Sequence, residues 1–343
     1  MTESAVRADA SPVRSSPRRL AAVLCLQLAL VALAIPFVIG RFGDGYWAVL
    51  SSPWAFQCWI GAIVVLLVAL MIEASRTALA AGALALWSSI VVVPQLLSVE
   101  TSARVLAGGT EVPTFRVIEA NVRFRGAPPA EAIEWLREAD ADFVGLVEFN
   151  SAWADAMESL GDLYPYSSGT IDDRTSGGTA LFSKYPLVEA RTTLAPTGIR
   201  TIVEAIARRP EGYVRILVVH PLSPTTPERA AARDEELAWI AERCATSDLP
   251  VIVMGDFNET PFGDAYRTFV DRSGLRSAHE GFGHIATWPA RVHGRPLPNV
   301  LRIAIDHCFV SKHFSTRDMS VGPDIMSDHR PIVIDLAWSP AVR

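Results

Sequence analysis

Three apolar stretches, residues 20–39, 54–72 and 78–99, stand within the first hundred positions, and none contains an Asp, Glu, Lys or Arg. Each approaches the roughly 20 residues needed to cross a hydrocarbon core as a helix. A chain that begins this way must place those segments in a bilayer or bury them in a very large core, and the next 240 or so positions do not continue the pattern. The first stretch follows Arg18 and Arg19 and has the form of a signal peptide. Two further spans follow closely, which favours a retained anchor.

Basic residues set the expected orientation. Arg7, Arg14, Arg18 and Arg19 precede the first stretch, whereas Arg41 in the next loop is offset by Asp44. The positive-inside bias keeps a segment 1–19 in the cytoplasm, and three crossings over 20–99 put the remainder on the outer face of the plasma membrane. Arg76, in the short second loop, agrees with this.

Residues 100–113, with Gly108, Gly109 and Pro113, read as a linker, and a soluble domain is expected over 114–337. Apolar runs at 115–118, 143–147, 179–182, 201–206, 214–219, 251–254, 303–310 and 332–336 are strand candidates, while 130–139 and 228–244 show helical spacing, the second opening after Pro227. Many strands with a few helices in one unit predict an α/β sandwich of two packed sheets.

Six of the 31 basic and four of the 37 acidic residues lie before position 100, which leaves 25 against 33 and a net charge of −8 beyond it. Such a surface is poor for a long polyanion, since nucleic-acid binders depend on Lys and Arg to displace counterions. Nucleic acid is therefore an unlikely partner, a small or membrane-delivered phosphate suits the charge better, and no protein partner is legible. Cys25 and Cys58 sit in apolar stretches; Cys244 and Cys308 fall in the outer domain, where a disulfide is permitted. No paired Cys or His spacing of the zinc type is present.

Polar residues with chemistry stand at the ends of the apolar runs. Asn121 closes one, Glu148 another and His220 a third; Asp306 lies in the 303–310 run, and the run at 251–254 leads into Gly255-Asp256-Phe257-Asn258. Alternation along an extended chain sends Asp256 and Asn258 to one side and Phe257 to the other. By the same rule His307 faces away from Asp306 and is structural. His279, His284 and His293 lie in a glycine-interrupted region and are expected at the surface or near substrate, and Asp234, Glu235 and Glu236 read as a solvated helix face.

Asn121, Glu148, 177–183 (GGTALFS), 220–222 (HPL), 255–258 (GDFN), 305–307 (IDH) and 327–329 (SDH), in this order, resemble the endonuclease/exonuclease/phosphatase superfamily of DNase I-like nucleases, neutral sphingomyelinases and inositol polyphosphate phosphatases. The resemblance spans about 113–337 and implies a four-layered α/β sandwich behind the three transmembrane helices. It further implies a hydrolase of phosphate ester or phosphoanhydride bonds dependent on Mg2+, with Mn2+ as an alternative. Glu148 matches the metal ligand, and Asn121 and Asp328 would complete or adjust its shell. His329 matches the catalytic histidine and Asp306 the acid that holds it. Asp256 would orient the attacking water, while Asn258 and His220 would donate to phosphoryl oxygens. Whether Asp256 or His329 takes the proton stays open at this level.

Arg123 stands two positions after Asn121, where many nuclease members carry an acid. An arginine there could clamp a second phosphate, which would suit a pyrophosphate. Trp288 is a candidate for lining the substrate pocket. Three spans plus this domain are similar to membrane-anchored teicoplanin-resistance proteins of the VanJ type, and that resemblance implies hydrolysis of undecaprenyl pyrophosphate in cell-wall carrier recycling or glycopeptide resistance. An extracytoplasmic nuclease, a sphingomyelinase-like phospholipase and a non-catalytic phospholipid sensor are the alternatives.

Overall fold

The computed structural model describes residues 16–43, 45–97 and 114–338. The expected linker at 100–113, together with Arg7, Arg14 and Asp44, lies outside the described residues. The apolar stretches form helices α1 (Pro17–Phe42), α3 (Ala55–Met71) and α4 (Ser75–Leu96), with a short α2 (Gly45–Ser51) leading into α3. Pro17–Phe42, Gly45–Met71 (α2 running on into α3) and Ser75–Leu96 are three helices long and apolar enough to cross a membrane. Ser16 caps the first by accepting from the Arg19 amide, Pro17 occupies its opening position, and Gly43 closes it by donating to Ile39 O at 2.8 Å. Fully buried Ala62, Ala69 and Ala81 let α3 and α4 approach closely. Trp59 Nε1 donates to Ser89 Oγ across them at 2.8 Å.

One end of the bundle is tied by Arg19, which donates to Ile72 O at 2.9 Å and pairs with Glu73 at 3.4 Å. The other end abuts the α/β unit. There Gln57 donates to Arg302 O at 2.8 Å and Val300 O at 3.3 Å, and Phe56 stacks on His284 with ring centroids 3.7 Å apart. Phe262 enters the bundle's own apolar cluster with Phe37, Ala55 and Phe56.

The α/β unit holds two six-stranded sheets built on one plan. In the first, β1 (Thr114–Asn121) runs parallel to β2 (Phe143–Val147); the order extends through β4 (Thr179–Ser183) to β3 (Tyr166–Thr170) on one side and through β14 (Ile332–Trp338) to β13 (Phe314–Val321) on the other. In the second, β7 (Gly212–Val219) runs parallel to β8 (Val251–Asp256), flanked by β6 (Thr201–Arg209) and β5 (Leu187–Leu194) and by β12 (Asp306–Val310) and β9 (Arg276–Ser277). Each parallel pair needs a crossover. Helix α5 (Ala130–Ala139) supplies the first and α7 (Pro227–Ala245) the second, with α6 (Ser151–Met157) and α8 (Asp264–Ser273) beside them. A small hairpin of β10 (Arg291–Val292) and β11 (Arg295–Pro296) stands apart.

Alternation divides the apolar side chains among three cores. Val117, Phe143, Val147 and Leu181 meet Val203, Ile216, Val218, Ile252 and Met254 between the sheets. Ile118, Val144 and Leu146 face outward onto Leu136 and Trp153, and Leu217, Val219 and Val253 face the other way onto Leu237, Ile240 and Phe269. The result is the four-layered helix–sheet–sheet–helix sandwich expected from the sequence. The sheets touch so closely that a Cβ on Gly145 would meet Met254 Sδ at 2.8 Å.

Six strands escaped the sequence reading: β3, β5, β9 and β13 are the edge strands of the two large sheets, and β10 and β11 form the small hairpin. β3 and β5 are polar and largely exposed, β13 separates its apolar Phe314 and Met319 by polar residues, and the others are two residues long, so no apolar run announces them. The predicted run at 303–310 begins as a strand only at Asp306. Cys244 and Cys308 are both free and buried, one on the helix side of the second sheet and the other between the sheets, so no bridge joins them.

Candidate active site

The carboxyl ends of the two parallel pairs lie at the same rim of the sandwich. Asn121 and Glu148 come from the ends of β1 and β2, and His220 and Asp256 from those of β7 and β8. Asp306 opens β12 directly opposite Asp256 in antiparallel register, and His329 precedes β14. Strand ends next to loops are where a rigid scaffold presents polar groups. Three residues at this rim, Arg123, Glu148 and Asn258, hold φ values of 60°, 60° and 51°. Left-handed backbone at a non-glycine residue costs on the order of 1–3 kcal/mol and concentrates at functional sites.

The side chains form one connected network. His329 Nδ1 donates to Asp306 Oδ2 at 2.9 Å, and Thr287 Oγ1 donates to the same carboxylate. His329 Nε2 lies 3.6 Å from Asp256 Oδ2. Asn121 Nδ2 donates to Asp256 Oδ2 at 3.1 Å and to Glu148 Oε1 at 3.2 Å, while its Oδ1 accepts the Arg123 amide. Glu148 Oε2 accepts the Phe124 amide at 2.9 Å. Ser327 Oγ donates to Asn121 O and accepts the His329 amide, so the loop carrying His329 is pinned to the end of β1.

Burial and crowding push these groups away from their ordinary titrations. Burial pushes Asp256 up, the Asp306 charge adds to it, and the His329 charge with bonds from the Asn258 amide and Asn121 oppose it, leaving a pKa of about 7. For His329 burial acts downward, but the charges of Asp306 and Asp256, the hydrogen bond to Asp306 and the Asp328 charge outweigh it, raising the imidazole to about 10. His220 goes the other way, held well below the usual value by burial and by the Arg200 and His329 charges. With a pKa near 7 Asp256 can accept a proton from water, and His329, with its higher pKa, can donate one to an oxyanion.

Each expected residue can now be placed. Asn121, Glu148, His220, Asp256, Asp306 and His329 converge. Trp288 stands beside them, its ring centre 6.4 Å from that of His329. Asn258 is half-buried, and its Nδ2 donates to Pro221 O at 3.1 Å. His220 differs from the expected donor: its Nδ1 bonds to Ser176 O at 3.1 Å, and because a carbonyl only accepts, the neutral ring keeps its proton there. Nε2, 3.7 Å from Asp256 and 3.9 Å from Glu148, is then an acceptor. Asp328 is half-buried, bonded through its backbone to the Ala290 amide. Arg123 is exposed.

Other expectations are corrected. His279 is buried with Nε2 on Gly283 O, and His284 is stacked on Phe56; only His293 of the three is exposed. Glu236 is not on the solvated face of its helix: it is buried, accepts the Leu222 amide at 2.9 Å and bonds to Thr197, thereby bracing the loop after His220. His307, by contrast, is where alternation put it: on the side away from Asp306, packed against Phe257, Tyr266 and Phe309 with Nε2 on Glu259 O.

Sequence reading missed Arg200, Thr287 and Glu119. Arg200 is buried near Glu148 and donates to Ser176 O, the carbonyl that fixes His220; burial lowers its pKa and the Glu148 charge opposes that. Glu119 shares the inward face of β1 with Asn121. It is fully buried with neither carboxylate oxygen bonded, and burial followed by the Asp306 and Asp256 charges holds its pKa well above normal, favouring the protonated form. The one signal for it was its place two residues before Asn121 in an otherwise apolar strand.

Ligand atoms of Asp256, Asp306 and His329 all lie within 4.8 Å of one another, a spacing compatible with a cation. Glu148, a half-buried carboxylate with one oxygen anchored by the Phe124 amide and the other at the rim, is a further hard-cation donor beside them.

Likeness to known proteins agrees with this geometry. No curated protein sequence matches the chain. Among solved structures, the endonuclease/exonuclease/phosphatase from Beutenbergia cavernae is 19% identical with a TM-score of 0.53, covering 66% of this chain and 72% of that one. The corresponding protein from Bacteroides vulgatus, also 19% identical, gives 0.52 over 66% and 100%. D. rerio TDP2, complexed with a single-strand DNA product, gives 0.54 at 19% identity over 65% and 99%. These share the fold. The sequence pattern of the Endonuclease/Exonuclease/phosphatase family matches residues 118–329, a span that begins in β1 and closes on His329, and the chain belongs to that family.

Proposed function

We propose that this chain is a membrane-anchored phosphoesterase with an extracytoplasmic active site that cleaves the phosphoanhydride of a lipid-linked pyrophosphate, undecaprenyl pyrophosphate being the candidate substrate. The family supplies hydrolysis of phosphate esters. The observation that carries the lipid reading is the seat of Phe262: close behind Asp256 in the chain, it is buried among Phe37, Ala55 and Phe56 of the apolar helices. The rim bearing Asp256 therefore sits against the end of the bundle opposite Arg19, and a tethered site meets membrane-borne substrate at high effective concentration. With the basic N-terminal segment inside, that end is the outer one. The net −8 of the region beyond residue 99 disfavours a polyanion. Residues 114–337 form the catalytic domain, and the branch resembling VanJ-type resistance proteins would place it in cell-wall carrier recycling.

In this reading Asp256, titrating near 7, takes the proton of the attacking water, and His329, cationic and fixed by Asp306 and Thr287, donates from Nε2 to the phosphoryl oxygen as charge develops. Water oxygen bonds to the terminal phosphorus, the bridging P–O bond breaks, and lipid monophosphate and inorganic phosphate leave. Asn121 holds Asp256 and Glu148 in register. Glu148, with Asp328 in support, would hold Mg2+ or Mn2+, which supplies Lewis-acid stabilisation when bound. His220 Nε2 accepts from water, and Arg123 and Trp288 would contact the second phosphate and the isoprenoid end.

The test is a substrate comparison with full-length protein in vesicles and Mg2+: undecaprenyl pyrophosphate, plasmid DNA and sphingomyelin. Phosphate release from the first alone is expected. Cleavage of DNA or sphingomyelin in its place moves the function to a nuclease or phospholipase, and inactivity on all three points to a phospholipid sensor.

A further inference from the structure

Between the small hairpin and β12 the chain makes a 3-10 turn, Asn299–Leu301, which follows Pro298 and leaves Val300 40% and Leu301 50% exposed. Its backbone is held by the helix bundle: Gln57 Nε2 donates to the carbonyls of Val300 and Arg302 on either side of Leu301. Within the apolar helix Gly45–Met71, α2 lies against α7 of the α/β unit, so the part free to cross the bilayer is α3, and Gln57, two residues after Ala55, is only ~3 Å along it. If α3 spans the bilayer, a backbone bonded to Gln57 lies at the depth of the headgroups and first methylenes. Trp47 and Trp54, 71% and 43% exposed, flank the same helix end, as aromatic residues do at a membrane interface.

The same turn connects to the active site. Ile303, directly after Arg302, pairs with Trp288, donating to its carbonyl at 2.6 Å, and Thr287 holds Asp306. Leu297, at the other side of the turn, donates to Ala290 O. One short loop thus has its tip at the bundle surface and its base beside His329.

From this placement we infer that the 298–301 turn is a membrane wedge, with Val300 and Leu301 inserted in the outer leaflet beside α3, and that the occupant of this apolar surface is the phospholipid bilayer. The wedge rests on the reading of the three helices as spans given above. It seats the Trp288–His329 side of the site on the lipid surface, so a pyrophosphate attached to a membrane-embedded chain reaches it without leaving the leaflet. Exposed Arg295 in the adjoining hairpin suits an anionic headgroup.

The test uses full-length protein in vesicles of phosphatidylglycerol and phosphatidylethanolamine, with Leu301→Cys carrying an environment-sensitive fluorophore on a Cys25→Ser background; the other three cysteines are buried. Quenching by lipids with a nitroxide near the headgroup is expected, and an unquenched probe with aqueous emission would overturn the wedge. In parallel, the Val300→Ser/Leu301→Ser variant should lose about tenfold in rate on the vesicle-borne lipid pyrophosphate while hydrolysing bis(p-nitrophenyl) phosphate at the wild-type rate; equal rates on both would also overturn it. Failure of the lipid-substrate reading shows separately, as no phosphate released from vesicles by the wild type, and the quenching result still decides the wedge.

Discussion

At the scale of single residues, the account turns on carboxyls that share a small buried space. The Asp256 pKa of about 7 predicts an acid limb near pH 7 in the rate profile, because activity needs its carboxylate. The Asp306 charge contributes to that elevation, so the residual activity of Asp306→Asn should show its acid limb at lower pH, measured as kcat/KM between pH 5 and 9. His329 has a folded pKa raised above its unfolded one, so the stability it contributes is complete below about pH 6.5 and is lost as pH rises toward 10. Urea melts of His329→Gln should lack that alkaline decline. Glu119 is raised as well, with no partner to gain. Wild type then loses stability above the unfolded Glu pKa of about 4.3, and Glu119→Gln should equal it at pH 4 and exceed it increasingly toward pH 7. If the two melt alike at all pH values, Glu119 is not the buried acid described. These positions differ in how legible they were. Asp256, Asp306 and His329 stood in recognisable short motifs, whereas Glu119 and Arg200 are unusual only once the sheets are stacked, because burial is a property of layers that adjacent residues do not display.

At the scale of elements, the central strands were legible because being buried on both faces demands apolar runs. Strand β2 and helix α5 begin and end where the spacing placed them. Edge strands β3, β5, β9 and β13 are polar, very short or broken by polar residues, as edges are, and so gave no signal. The turn at the end of β8 is a test of how tightly the site is built. Gly255 has φ 153°, and a Cβ there would lie 1.8 Å from Val219 O, within the parallel pair that carries His220 and Asp256. Gly255→Ala should destabilise by at least about 3 kcal/mol. Gly274→Ala, at φ 65° with open space around it, should cost only about 1–2 kcal/mol. Thermal melts of the two variants check the contrast, and similar losses would contradict the close packing.

At the scale of the whole molecule, apolar length announced the three helices and the strand-end residues announced the sandwich, but nothing in either part announced that they dock. That contact joins Phe262 to Phe37 and Gln57 to Arg302, residues hundreds of positions apart, with no complementary pattern in the sequence. Phe262→Ala should raise amide hydrogen exchange across 257–263 and leave the central strands β7 and β8 protected; unchanged exchange would mean that the loop does not depend on the bundle. The central claim, that the strand-end cluster is the phosphoesterase site of a membrane-anchored enzyme, is tested most directly by the initial rate of phosphate release from vesicle-borne undecaprenyl pyrophosphate. It is compared for wild type and His329→Ala, with Mg2+ and with chelator. Release by wild type with Mg2+, reduced at least a hundredfold by either the substitution or the chelator, is the predicted result. Equal release by His329→Ala would contradict the account.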